Sequence, residues 1–251
     1  MRIAIMGSGG VGGYFGARLA KGGADVVFIA RGPHLEAMRK HGLRIENEHE
    51  PIELPKVNAT DDSSSIGRVD LILFAVKLWD TESAAKSLLP AIGPDTGLIS
   101  FQNGVQKDDM LRPIVGEAAL MGGVGYVATA ISRPGVIAQT GTMQRLLFGE
   151  FDGRPSKRVE DFHRACVAGG INAEISPPPS GAIADGLTPC PVFPAEVMWI
   201  GLLGLRLDRS GVQGRDPGAQ RVQPRHRSRP VVRRDLRGAH SARPLRARAC
   251  L

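Results

Sequence analysis

The chain has 251 residues, 42% of them hydrophobic, and a formal net charge of +7 at pH 7. That length suits one large domain or two smaller ones, and no apolar run approaches the roughly 18 residues of a membrane span. The positive charge sits in residues 206–251, which hold 13 Arg, no Lys and 3 Asp, while residues 1–205 hold 19 basic and 22 acidic groups, so the body of the chain gives no electrostatic case for nucleic acid.

Met1-Arg2-Ile3-Ala4-Ile5-Met6-Gly7 reaches glycine too early for a signal peptide and reads as a strand over 2–6. Val11, Phe15, Leu19 and Ala20 recur at helical spacing over 11–21, and Gly22-Gly23 stops that helix. A second apolar strand spans 25–30 and a helix 33–41, with short strands and turns over 43–60. Val69 to Val76 is almost continuously apolar, as expected of a strand covered on both faces in a parallel sheet. A helix over 81–91, a strand over 97–101 and a short helix over 110–115 follow. Strands are expected over 120–130, 135–139, 144–149 and 172–175, with a helix over 155–168. Strands alternating with helices predict an α/β fold, a Rossmann-type doubly wound parallel sheet. Its ligand belongs outside the carboxyl ends of the strands, which selects loops 7–12, 30–33, 76–80 and 102–105.

Gly7-Ser8-Gly9-Gly10-Val11-Gly12 fits G-x-G-x-x-G where a strand ends and a helix begins. Gly7 permits the tight turn, Gly9 lets a pyrophosphate approach the backbone, and Gly12 allows close packing of helix on sheet. The first helical turn then offers N–H groups and its dipole to phosphate. An ordinary strand–helix turn is the competing reading. The second strand ends Ile29-Ala30-Arg31-Gly32, with no acid to accept from a ribose 2′-OH. Arg31 suits a 2′-phosphate instead, which favours NADP(H) over NAD(H); otherwise it is a solvated surface arginine. Lys77 emerges at the ligand edge after Val76, or is a solvated strand end. Asn103 holds the equivalent place after Phe101 and can donate and accept together, or is the first half of an Asn-Gly turn.

Cys166, Cys190 and Cys250 are scattered, with no C-x-x-C pair. This fits idle thiols in a reducing compartment rather than a disulfide framework, and no metal site is expected.

These segments together resemble the ketopantoate reductase (2-dehydropantoate 2-reductase) family from Met1 to about Ser176. The matching pieces are Gly7 to Gly12, Ala30-Arg31-Gly32, Val76-Lys77-Leu78-Trp79, Gln102-Asn103-Gly104-Val105, Gly122 to Ala128 with Pro134-Gly135, and Leu147-Phe148-Gly149-Glu150. The resemblance implies NADPH-dependent reduction of a small 2-oxo acid, ketopantoate, in a cytoplasmic enzyme of pantothenate biosynthesis. It implies pyrophosphate on Gly7 to Gly12, the 2′-phosphate on Arg31 with Lys77 near it, Asn103 between nicotinamide and substrate, and Ala128 at the nicotinamide end. It also implies an acid lysine in a helical second domain, soon after the strand at 172–175. Here Pro177-Pro178-Pro179 follows instead, and the last lysine is Lys157. No catalytic residue is therefore assigned. A cofactor-holding module without turnover is the alternative, and homo-oligomer formation is left open.

The expected division is an NADP-binding domain over 1–176, a remnant or aberrant start of a C-terminal domain over 177–205, and an Arg-rich tail over 206–251. In that tail Arg, Pro, Ala and Gly make up 26 of 46 residues. It reads as a nucleic-acid-binding arm, as a solvated tail, or as GC-rich DNA translated in the wrong frame. The break in mid-domain favours the third reading.

Overall fold

The structure, a computed structural model, describes residues 1–104 and 106–176. The expectations for 177–205 and 206–251 lie outside the described residues. In chain order the elements are β1 Arg2–Met6, α1 Gly10–Lys21, β2 Asp25–Ile29, α2 Gly32–His41, β3 Leu43–Glu46, β4 Ile52–Leu54, β5 Asn58–Thr60 and β6 Leu71–Phe74. They continue with α3 Thr81–Ser87, β7 Gly97–Ser100, α4 Lys107–Val115, β8 Leu120–Arg133, β9 Val136–Gly149, α5 Lys157–Ala168 and β10 Asn172–Ile175.

The strands form one curled sheet in the order β4-β3-β9-β8-β7-β6-β1-β2-β5, with β10 also paired to β9. Pairing is parallel except for β3 with β4 and β8 with β9. The fold is therefore the expected Rossmann-type α/β sheet, with an antiparallel extension. Strand β1 lies between β2 and β6, so the chain reverses its winding there, and a crevice opens at their carboxyl ends.

The apolar runs explain this layering. On β1, Ile3 and Ile5 join one core cluster while Ala4 and Met6 join the other. Val26 and Phe28 against Val27 and Ile29 repeat the division on β2, as do Leu71 and Leu73 against Ile72 and Phe74 on β6. Successive side chains point to opposite faces, and both faces are covered. The first cluster includes Phe15 and Leu19 of α1 with Val159 and Phe162 of α5. The second includes Ala84, Ala85 and Leu111 from α3 and α4. Among the described residues no helix is long and apolar enough to cross a membrane.

Several elements depart from the sequence reading: the strand read over 69–76 is confined to Leu71–Phe74, and β8, expected to end at 130, runs to Arg133. The helix expected over 81–91 ends at Ser87, and a 3-10 turn covers Leu89–Ala91, because Pro90 has no N–H to donate to the Lys86 carbonyl and interrupts the helical ladder. Helix α4 begins three residues early, at Lys107, with Asp108 and Asp109 in its first turn, where the helix dipole favours acids over apolar residues. The segments expected at 135–139 and 144–149 form one long strand, β9. Val127 pairs with Gln144 but Thr129 with Gln139, so residues 140–143 bulge out, and Gly141 there has φ of 70°. The missing apolar alternation marked that bulge rather than a strand end.

Two polar ties hold the ends of this sheet. After β9, Glu150 receives Arg158 Nε at 2.7 Å and Nη2 at 2.6 Å, while Arg158 Nη1 donates to the Ala118 carbonyl at 2.9 Å. Burial pushes the Glu150 carboxyl up, but hydrogen bonds from Arg158 and Ser156 outweigh it and hold the group below its usual range. At the other end His34 joins two segments. The Gly135 N–H donates to Nδ1 at 3.1 Å, so the proton is on Nε2, which donates to the Ser8 carbonyl at 3.0 Å. Burial holds His34 below its ordinary pKa of 6.5, against a smaller upward pull from the Ser8 carbonyl.

Arg158→Ala leaves a largely buried carboxylate without its fork, and we expect a loss of about 2–4 kcal/mol in urea unfolding. A loss below about 1 kcal/mol would refute the tie. For His34 the unfolded chain takes up the proton at higher pH than the folded one. Its contribution to stability is thus complete above 6.5 and declines as pH falls from there toward the lower folded value. His34→Gln should flatten the stability–pH curve where it falls away below pH 6.5; an unchanged slope would show that the ring is not a linchpin.

Candidate functional site

The glycine loop leaves β1 at the reversal of winding. Gly7 has φ of 95°, and a Cβ there would lie 2.8 Å from the Val76 backbone nitrogen, so no side chain fits the turn. Its N–H and that of Ser8 both donate to the Ile29 carbonyl, at 3.2 and 3.0 Å. The Ser8 hydroxyl donates to the same carbonyl at 3.0 Å, and the side chain is buried. A Cβ on Gly12 would strike the Gly7 carbonyl oxygen and approach the Ala75 Cβ to 3.1 Å, so α1 starts directly against the loop and the 75–76 backbone.

Gly9 and Gly10 are neighbours with opposite surroundings. A Cβ on Gly10 would come within 2.6 Å of the Thr129 carbonyl oxygen, whereas one on Gly9 would meet nothing within 4 Å. Gly9 also has an ordinary φ of −77°, so neither strain nor packing of the described residues requires glycine there. The space beside it opens at the N-terminal turn of α1, where backbone donors suit an anion. A dinucleotide's pyrophosphate fits this cradle, because a side chain at Gly9 would fill it. Val11, one position into α1, is half-buried.

The other selected loops converge on this edge. Arg31 caps the start of α2 with extended backbone, and its Nη2 reaches Asp80 Oδ2 at 2.8 Å. Lys77 is exposed at the start of the 3-10 turn Leu78–Asp80. Gln102 Nε2 donates to the Val76 carbonyl at 3.0 Å and to the Thr81 hydroxyl at 2.7 Å. That ties the 102–104 loop to the 76–81 loop and places the exposed Asn103 on the same edge. Ala128 is exposed on β8, beside the Thr129 carbonyl that contacts Gly10, and opposite the bulge at 140–143.

Four contributors were not found from sequence. Asp80 is the acid missing from the end of β2; it arrives from the turn after β6. Gln102 reads as a turn residue but is buried and anchored. His34 reads as a polar residue early in a helix. Lys107 is buried and donates to the Ser100 carbonyl and, at 2.7 Å, to the Gly123 carbonyl, so it joins β7 to β8. Burial holds its ammonium below the ordinary range, against Asp108. All four act through partners 16 to 101 residues away, which local pattern does not encode. Cys166 is buried, its thiol pushed up by that burial, as an inert thiol requires; Cys190 and Cys250 lie outside the described residues.

Comparison with known proteins gives the same family from independent directions. The chain is 28% identical over 176 residues to the uncharacterized oxidoreductase YkpB of Bacillus subtilis, covering 70% of this chain and 56% of that protein. It is 30% identical over 196 residues to a 2-dehydropantoate 2-reductase of Mesorhizobium japonicum, covering 70% and 60%. The crystal structure of 2-dehydropantoate 2-reductase from Porphyromonas gingivalis W83 superposes with a TM-score of 0.67 at 31% identity, covering 70% and 64%. The chain thus spans less than two thirds of the length of these relatives. The profile of the family described as ketopantoate reductase PanE/ApbA matches residues 3–153, more than half of the sequence, and the chain belongs to that family.

Proposed function

We propose that this chain binds NADP(H) across the carboxyl ends of β1, β2, β6 and β7, and that the reaction it serves is the reduction of 2-dehydropantoate to pantoate. The observation that carries the proposal is the open space at Gly9, set at a helix N-terminus whose neighbouring glycines, Gly7, Gly10, Gly12 and Gly13, all pack tightly. In this reading the loop from Gly7 to Gly12 takes the pyrophosphate: the N–H groups of Gly9, Gly10, Val11 and Gly12 serve it, while Gly7 and Ser8, whose own N–H groups donate to the Ile29 carbonyl, shape the turn. Arg31 takes the adenosine 2′-phosphate, with Lys77 adding positive charge on the same edge. Asn103 stands between nicotinamide and substrate, and Ala128 borders the nicotinamide end. Family membership supports the substrate class, a small 2-oxo acid, and with it a place in pantothenate biosynthesis in the cytoplasm.

Bound NADPH would supply the hydride for the C2 carbonyl. The chain's own work is to hold and orient: glycine backbone for the diphosphate, a guanidinium for the terminal phosphate, an amide that donates to one partner and accepts from another. Reduction also needs an acid at the nascent alkoxide. The lysine that family resemblance implies has no counterpart after Lys157, so binding and turnover are separate questions for this chain.

The test measures both. Titration of the full chain with NADPH should show saturable binding. Gly9→Val should weaken it at least tenfold while changing unfolding stability by no more than about 0.5 kcal/mol, because its side chain enters only the cradle. Gly10→Val should instead lower stability by about 1–3 kcal/mol through overpacking against Thr129. Adding 2-dehydropantoate should then deplete NADPH absorbance. No NADPH binding by the parent chain sinks the proposal; binding without depletion reduces it to a cofactor-holding module.

A further inference from the structure

The sequence offers no acid at the end of β2, but the fold delivers one. Asp80 Oδ2 lies 2.8 Å from Arg31 Nη2, with the arginine side chain 75% exposed and the aspartate 28% exposed. The turn carrying Asp80 is fixed from both sides. The Asp80 N–H donates to the Lys77 carbonyl at 2.9 Å, the Ser83 hydroxyl donates to the Asp80 carbonyl at 3.1 Å, and Gln102 holds the adjoining Thr81 hydroxyl. The Asp80 side chain makes no capping bond to α3. Its carboxylate therefore faces Arg31 without a role in holding its own helix.

We propose that Asp80 is a specificity-determining residue of this site, which meets the 2′ substituent of the adenosine ribose together with Arg31 and moderates preference for NADPH over NADH. The inference rests on the dinucleotide reading above. A 2′-phosphate drawn to Arg31 encounters a carboxylate already on the same guanidinium. It must share that group beside a like charge or displace the aspartate. A ribose 2′-hydroxyl is neutral and donates to the carboxylate, the service that an acid at the end of the second strand performs in NAD sites. One side chain thus opposes the phosphate and favours the hydroxyl, and the choice between cofactors becomes a balance between Arg31 and Asp80.

Equilibrium titration of the full chain with NADPH and with NADH, followed by nucleotide fluorescence, tests this in the parent, Asp80→Asn and Arg31→Ala proteins. Asp80→Asn should lower the Kd for NADPH about three- to tenfold, the scale of one exposed charge contact, and raise that for NADH. The NADPH gain should shrink when ionic strength rises from about 0.05 to 0.5 M, since it is electrostatic and exposed. Arg31→Ala should erase the NADPH advantage. Unchanged affinities in Asp80→Asn, or an equal change for both cofactors, overturn the proposal. So does weaker NADPH binding like that of Arg31→Ala, which would mean that Asp80 only holds Arg31 in place. If the parent chain binds neither nucleotide, the dinucleotide reading falls and this inference with it.

Discussion

Backbone lies against backbone on two sides of the first turn of α1: Gly12 packs on the Gly7 carbonyl and Gly10 on the Thr129 carbonyl. Side chains at these positions would push the helix away from both the sheet and the β8–β9 hairpin. The α1 start is thus closed by backbone contact on those two sides and open in one direction. That direction is the space beside Gly9, so the same contacts that fix the helix also define where a ligand enters. Interiors packed at crystal-like density transmit displacement rather than absorb it. A shift of α1 would therefore carry the loop, the hairpin and the Ala75–Val76 backbone with it.

The hairpin closes one side of the site through that contact. Ile137 of β9 lies against Gly13, one turn along α1, and His34 bridges the Ser8 carbonyl to Gly135 at the hairpin turn. The ring can make both bonds only when neutral, because Nδ1 must accept while Nε2 donates. The bulge at residues 140–143 lets β9 keep pairing with β8 while changing its course beside Ala128, a use of bulges common near functional sites. The glycine loop is thereby clamped between a packed helix and a hydrogen-bonded hairpin.

What could be read from sequence follows from what is local. The apolar run at 69–76 predicted a buried parallel strand, because near-continuous apolar composition suffices for a strand covered on both faces. The glycine loop was readable from spacing plus its place after a strand. Arg31 was readable as a cation at the ligand edge, but its partner was not: Asp80 is 49 residues away and nothing in Leu78-Trp79-Asp80 encodes the pairing. Long-range ties such as Gln102 to Thr81 and Lys107 to Gly123 depend on strand order, which periodicity leaves open. The segments 135–139 and 144–149 look like two strands in sequence but are one in space, joined through the bulge around Gly141.

Three arginines show how the structure separates holding from binding. Arg18 is buried and divides its guanidinium among the Tyr14 hydroxyl at 2.7 Å, the Gly170 carbonyl at 3.2 Å and Glu50 at 3.0 Å. Arg158 does the same with Glu150 and two carbonyls. Breaking such sets leaves several buried groups without partners, so neither arginine can exchange them without destabilising the fold. Among the described residues Arg31 makes a single ion pair, to Asp80, in a setting where an exposed pair contributes about 0–1 kcal/mol. A charge that weakly held is of little use to stability but can change partners at small cost. An anionic ligand at the crevice therefore meets a cation whose existing bond it can share or replace, while the arginines that hold α1 and α5 stay fixed.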